Sequence, residues 1–239
     1  MTQTASSEVI STFSTRAERY AAGKAFRSKS PRTSHREWAP AADRPDPISL
    51  LEESNRTRVP ELIPIRYGRM SLTPFAFLRG SAGVMASDLA NTPVSGIKVQ
   101  ICGDAHLSNF GFFATPERNL VFDVNDFDET LPGPWEWDLK RLAASIVVAG
   151  RQNGYTAQEN RQVVVRSIRE YHTLMQGMAS MQALPVWNLH LNMAELMGMV
   201  NRREQGTAQQ VSLRRHCSER SRRGQRRDAY LGRAAHGGR

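Results

Sequence analysis

The sequence predicts an α+β protein, mostly helical, with a short β-hairpin that carries two acidic loops. Three observations predict it. Apolar residues recur at three- and four-residue steps along most of the chain, the period of helices with one buried face. Only two short runs, Val99-Gln-Ile-Cys102 and Leu120-Val-Phe-Asp-Val124, read as strands. Each of these runs leads into a cluster of Asp and Asn residues.

Taken in order, residues 7–27 read as a helix, with Val9, Ile10, Phe13, Ala17 and Tyr20 on one stripe. Residues 28–47 are punctuated by Ser, Pro and Arg and read as a loop. A short helix follows over 47–57, and Pro60 and Pro64 break the pattern. The apolar run Phe75-Ala-Phe-Leu78 precedes Arg79 and Gly80, and a helix of about two turns fits 82–90. After the first strand comes Gly103-Asp-Ala-His-Leu-Ser-Asn109. A turn at 115–119 leads to the second strand, which ends in Asn125-Asp-Phe-Asp-Glu129. Residues 132–134 read as a loop. A helix over 137–149 buries Leu139, Leu142, Ala143, Ile146 and Val147. Thr156 and Glu159 form a capping box. The helix they open runs to about 181, with Val164, Ile168, Tyr171, Met175 and Met178 as its core stripe. Another helix fits 190–203. The organisation is therefore an N-terminal helix and loop (1–44), a main body (45–206) and a basic tail (207–239).

The 239 residues carry a formal net charge of +9 and a pI of about 10.2. The charge is not spread evenly. Residues 1–200 hold 21 Lys+Arg against 20 Asp+Glu, and residues 201–239 hold 11 Arg against 3 acids. A nucleic-acid or acidic-surface partner could therefore engage only the tail. Two distant cysteines, Cys102 and Cys217, give no disulfide framework or zinc cluster, so the expected compartment is the reducing cytoplasm. No apolar run is long enough to span a bilayer.

The two acidic loops carry the chemistry. The first supplies Asp104 and, five residues on, Asn109; the second supplies Asp126 and Asp128, with Asp123 and Glu129 close by. Carboxylates and an amide are hard oxygen ligands that suit Mg²⁺ held together with phosphate oxygens. Phosphoryl transfer needs such a metal site and a carboxylate that takes the proton of the attacking hydroxyl. Antiparallel neighbours point opposite ways, so the loop after Asn109 must fold back to bring that residue near Asp126. Arg79 is a candidate phosphate contact, with an ion pair as its alternative. Arg141 and Lys140 read as an exposed helical face or a brace for the loop.

Two other readings compete. Gly103-Asp-Ala-His106 also opens metal-dependent phosphohydrolases, which would use Asp104, His106, Asp126 and Asp128, although the later Gly-Asp and Gly-Asn-His segments of that class are missing. The remaining reading is a non-enzymatic binder acting through its Arg-rich tail.

The loop at 103–109 resembles the catalytic loop of the protein-kinase-like fold, especially that of aminoglycoside and choline kinases, and Asp126-Phe-Asp128 resembles their metal-binding element. The resemblance implies that Asp104 is the catalytic base and that Asn109 and Asp126 are Mg²⁺ ligands. It further implies that Asp138, at a helix start, braces the loop, and that the phosphoryl donor is ATP. His106, Asp123 and Arg141 would then be supporting residues. Pro74-Phe-Ala-Phe-Leu-Arg-Gly80, Cys102-Gly-Asp-Ala-His-Leu-Ser-Asn-Phe-Gly111, Phe122-Asp-Val-Asn-Asp-Phe-Asp-Glu129 and Trp137-Asp-Leu-Lys-Arg-Leu142 together resemble the bacterial domain-of-unknown-function 2252 family over residues 45–205. Two departures stand out. Cys102 and Gly103 occupy the place of a loop-bracing His and its neighbour, and no Gly-x-Gly-x-x-Gly with a strand lysine precedes Asp104. Members of the resembled family place that glycine-rich lobe after the acidic motifs. The expectation is therefore a mostly helical catalytic lobe lacking its nucleotide lobe, truncated or frameshifted near 207, with weak or no turnover on a small-molecule hydroxyl.

Overall fold

The computed structural model describes residues 15–189, together with Leu191, Asn192 and Gly198. It is α+β, mostly helical, with a few small antiparallel strands. Residues 15–112 and 123–189 form one compact unit; residues 113–122, Leu191 and Asn192 belong to a second. No described helix is long and apolar enough to cross a membrane.

The helices follow their caps. Helix α1 (Arg16–Lys29) opens on Thr15, whose side chain accepts from Glu18 N in a capping box. Helix α2 (Pro47–Asn55) is capped by Asp46, with Pro at its first position. Then come α3 (Ile63–Met70), α4 (Pro74–Arg79) and α5 (Ala82–Ala90). Leu51, Met70 and Val84 form a small core between α2, α3 and α5, with Leu50 and Tyr67 packed against it.

The strands pair differently from expectation. β1 (Lys98–Ile101) pairs antiparallel with β4 (Leu131–Pro134), in the register Lys98↔Pro134, Val99↔Gly133, Gln100↔Pro132 and Ile101↔Leu131. The stretch 132–134 is therefore strand, not loop. Prolines are tolerated because every strand of a two-stranded ribbon is an edge. Gly133 makes room for Ile101, whose Cδ1 would stand 2.7 Å from an added Cβ. The acidic hairpin is made of β2 (Phe110–Ala114) and β3 (Leu120–Val124), joined by a turn in which Thr115 N donates to Asn119 O. In the second unit β3 pairs with β5 (Leu191–Asn192), so the start of the helix expected over 190–203 is strand; Gly198 is helical, and the rest of that stretch lies outside the described residues.

Helix α6 (Trp135–Gln152) is the organiser of the first unit and packs against α4, α5, β1 and α7 (Ala157–Met178). Glu136 and Asp138 lie in its first turn and Arg151 in its last, as the helix dipole favours. Of the expected apolar face only Ile146 is fully buried; the other fully buried positions are Glu136, Arg141, Ser145 and Gly150.

The expected apolar stripes are less buried than their spacing suggests. α1 buries no residue and Ala17 and Tyr20 are exposed, while Val9, Ile10 and Phe13 lie outside the described residues. On α7 only Asn160 is fully buried, while Val164, Ile168, Tyr171 and Met178 are half-buried and Met175 is exposed. Helix α8 (Ala183–Trp187) carries Pro185 in its first turn, where the backbone N–H has no helical partner to lose. The basic tail from 207 lies outside the described residues.

Candidate functional site

The two acidic loops meet at the base of the β2–β3 hairpin. Asn109 ends a 3-10 turn (Leu107–Asn109) directly before β2, and Asn125 follows β3. Asn125 N donates to Asn109 O at 2.9 Å, so the open ends of the hairpin coincide. The fold-back required of the loop is supplied by β2 itself.

Asn109 is 4 % exposed and its amide ties the loops together. Nδ2 donates to Asp104 O at 3.1 Å and to Asp126 O at 3.2 Å, with Cys102 Sγ at 3.6 Å. These acceptors fix which end of the amide is nitrogen. Oδ1 takes no hydrogen bond among the described residues. Asp126 is exposed; its Oδ1 accepts from Asp128 N at 3.1 Å in a local turn, and Asp128 is exposed as well. Asp123 spends Oδ1 on Val124 N at 2.8 Å, beside the hairpin base.

The first loop is braced from α6. Asp138 accepts from Cys102 N at 2.7 Å through Oδ2 and from Gly103 N at 3.0 Å through Oδ1. Gly103 has φ +81, and an added Cβ would collide with the main-chain carbonyl of Glu129. Only glycine meets both demands. Arg141, 2 % exposed, donates from Nε to Asp104 Oδ1 at 2.5 Å and pairs with the same oxygen through Nη2, which also donates to Leu78 O at 2.7 Å. Ser145, fully buried, donates to Leu142 O and accepts from Leu107 N at 3.1 Å. Asp138, Arg141 and Ser145 stand at i, i+3 and i+7, one face of α6. That spacing is the signal in the sequence that points to Ser145.

His106 is 5 % exposed. Its Nε2 lies 3.4 Å from Asp104 Oδ2, its ring meets Phe75 edge-on at 6.2 Å, and its Nδ1 is buried without a partner among the described residues. Asp104 Oδ2 is thus the carboxylate oxygen not held by arginine. Burial pushes the Cys102 thiol above its ordinary pKa, which keeps it protonated beside Asp138 and Asp104. Arg79 is exposed at the end of α4; the arginine that reaches Asp104 is Arg141. Trp135 stacks one face of its ring on Tyr171 at 6.2 Å. Among the described residues no three His, Cys, Asp or Glu side chains converge to hold a metal ion.

The Gly-Asp-Ala-His loop, the Asp-Phe-Asp turn and the Trp-Asp-Leu helix start thus form one braced unit. Residues 58–236 match the family described as "Uncharacterized protein conserved in bacteria (DUF2252)". The chain belongs to DUF2252. No curated protein and no solved structure matches it. The DUF2252 match takes in α3 through α8 and continues to residue 236, beyond the end near 205 that the motifs implied. The change of composition at 207 is therefore not the edge of the DUF2252 match.

Proposed function

We propose that this DUF2252 chain carries the acid and metal machinery of a kinase-like phosphotransferase. The observation that carries the reading is the Asn109 amide, which joins the Asp104 and Asp126 loops while its oxygen takes no hydrogen bond among the described residues. Asn109 Oδ1 and the Asp126 carboxylate are the residues that would hold Mg²⁺, with Asp128 as a further exposed carboxylate. This donor set is oxygen-only and small, which fits an ion that completes its shell with water and the phosphates of ATP. A Mg²⁺ held by these residues would neutralise charge on the transferring phosphoryl group.

The chain's own part is positional and acid–base. Arg141 fixes Asp104 through Oδ1 and leaves Oδ2 to orient a hydroxyl nucleophile and take its proton. Asp138 and Ser145 hold the loop that carries these groups. The acceptor is a small-molecule hydroxyl. The sequence contains no Gly-x-Gly-x-x-Gly loop, so these residues alone are expected to turn over slowly.

The phosphohydrolase reading draws less support. His106 is buried against Asp104 and Phe75, and among the described residues no group of three metal-binding side chains forms around it. The deciding test is ATP turnover in Mg²⁺ with a mixture of hydroxyl acceptors. Slow transfer that Asp104→Ala removes, with nucleotide binding retained, is expected. Turnover unchanged in Asp104→Ala, or hydrolysis of an aryl phosphate lost on His106→Ala, overturns the reading.

A further inference from the structure

A second buried polar cluster lies outside the two acidic loops. Glu136 and Lys140 stand one turn apart on α6. Glu136 is 5 % exposed; Oε1 accepts from Ser95 N at 2.7 Å, while Oε2 is buried with no partner among the described residues. Lys140 Nζ donates to Thr92 Oγ1 at 2.7 Å and to Pro93 O at 3.4 Å. Trp135 Nε1 donates to Ser95 Oγ, and Tyr171 of α7 lies within the field of Glu136 and Asp138.

His35 closes this cluster from a 3-10 turn (Arg32–His35) that follows α1. Its Nε2 pairs with Ser30 Oγ at 3.2 Å, and its Nδ1 is buried without a partner among the described residues. Glu136 Oε2 and His35 Nδ1 are both unpartnered, so they do not bond each other. The charged groups acting on His35 are Lys140 and Glu136, both from α6. Since α1 buries no residue, the segment 30–35 and the Arg44–Asp88 ion pair at 2.6 Å are prominent ties of this N-terminal stretch.

The geometry points to His35 as a pH-operated latch that seats residues 30–35 when neutral and releases them when protonated. With the neutral ring in the tautomer whose Nε2–H donates to Ser30 Oγ, only a lone pair is left unsatisfied at Nδ1. Protonation converts that atom into a buried N–H without an acceptor, close to the Lys140 cation. Burial is the larger effect, Lys140 adds to it and Glu136 opposes it, so the docked His35 titrates below its ordinary value of 6.5. The released ring returns to that value. The latch therefore holds above it and weakens as pH falls through it.

The test is an NMR titration of the His35 ring in the full chain, with amide protection factors measured over 30–36. The latch predicts a midpoint below 6.5, raised in Lys140→Met and lowered in Glu136→Gln. Protection should fall by up to about tenfold per pH unit, the limit for one coupled proton, and this dependence should vanish in His35→Gln. A midpoint at or above the ordinary value overturns the latch. So does protection that stays constant across the wild-type titration, a measurement that needs no variant to fold.

Discussion

Asn109 Nδ2 donates to the main-chain oxygen of Asp126 at 3.2 Å, across 17 residues of sequence. The same nitrogen reaches Asp104 O, so one buried amide holds together the backbones that carry both acidic clusters. Asn109→Asp keeps an oxygen for a cation but removes the donor and leaves two carbonyls facing a carboxylate. A loss of about 1–3 kcal/mol is expected in urea unfolding, with faster exchange at the Asn125 amide. Unchanged stability would mean the amide does not tie the loops.

Arg141 and Asp104 form a buried ion pair, and Arg141 has a second anchor on Leu78 O. Arg141→Met leaves the Asp104 charge uncompensated and is expected to cost about 3–5 kcal/mol. Asp104→Asn in the same chain should recover part of that loss. With Asp104→Asn measured alone as well, a double-variant loss equal to the sum of the two single losses would show that the two side chains are not coupled.

Gly103 and Gly154 both have positive φ, at +81 and +80. An added Cβ meets the Glu129 backbone at Gly103 and nothing within 4 Å at Gly154. Gly154→Ala should cost about 1 kcal/mol from backbone strain alone. Gly103→Ala carries the same strain plus the collision, and should be clearly worse in thermal unfolding. The reverse order would refute the close approach of the two loops.

The Cys102 thiol has its pKa raised above 9.0 by burial, whereas in the unfolded chain it returns to that value. Above that pH the unfolded state loses its proton first, so stability should fall as pH rises through 9.0. Cys102→Ala should flatten this alkaline loss relative to wild type. An identical alkaline profile in the variant would place Cys102 in contact with water.

Much of the fold was legible because its signals are local. The Thr156–Glu159 box and the apolar spacing from Leu139 to Val147 mark α7 and α6 correctly. β4 was hidden by its prolines, which a ribbon edge accepts. β2 was read as loop because Phe110-Gly-Phe-Phe-Ala114 has no polar alternation to announce a strand. At the site, the juxtaposition of Asp104, Asn109 and Asp126 was expected from the motifs, and so was Asp138 as the brace. The depth of Arg141 and Ser145 was not, because charged and hydroxyl side chains are ordinarily read as surface. Their burial follows from partners far away in sequence, Asp104 and Leu107. The α7 stripe failed for the opposite reason: periodicity gives a face, and only packing decides whether anything covers it.

The most direct test of the central claim is metal binding, using Mn²⁺ as a paramagnetic stand-in for Mg²⁺ and following water relaxation with and without ATP. The account predicts that ATP strengthens Mn²⁺ binding to the chain. It also predicts that Asn109→Ala and Asp126→Asn each weaken the ternary complex at least about tenfold, since even an outer-shell partner of a metal is worth that much, while Asp104→Asn leaves it nearly unchanged. Mn²⁺ binding that ignores both ligand substitutions, or none in the presence of ATP, would contradict it.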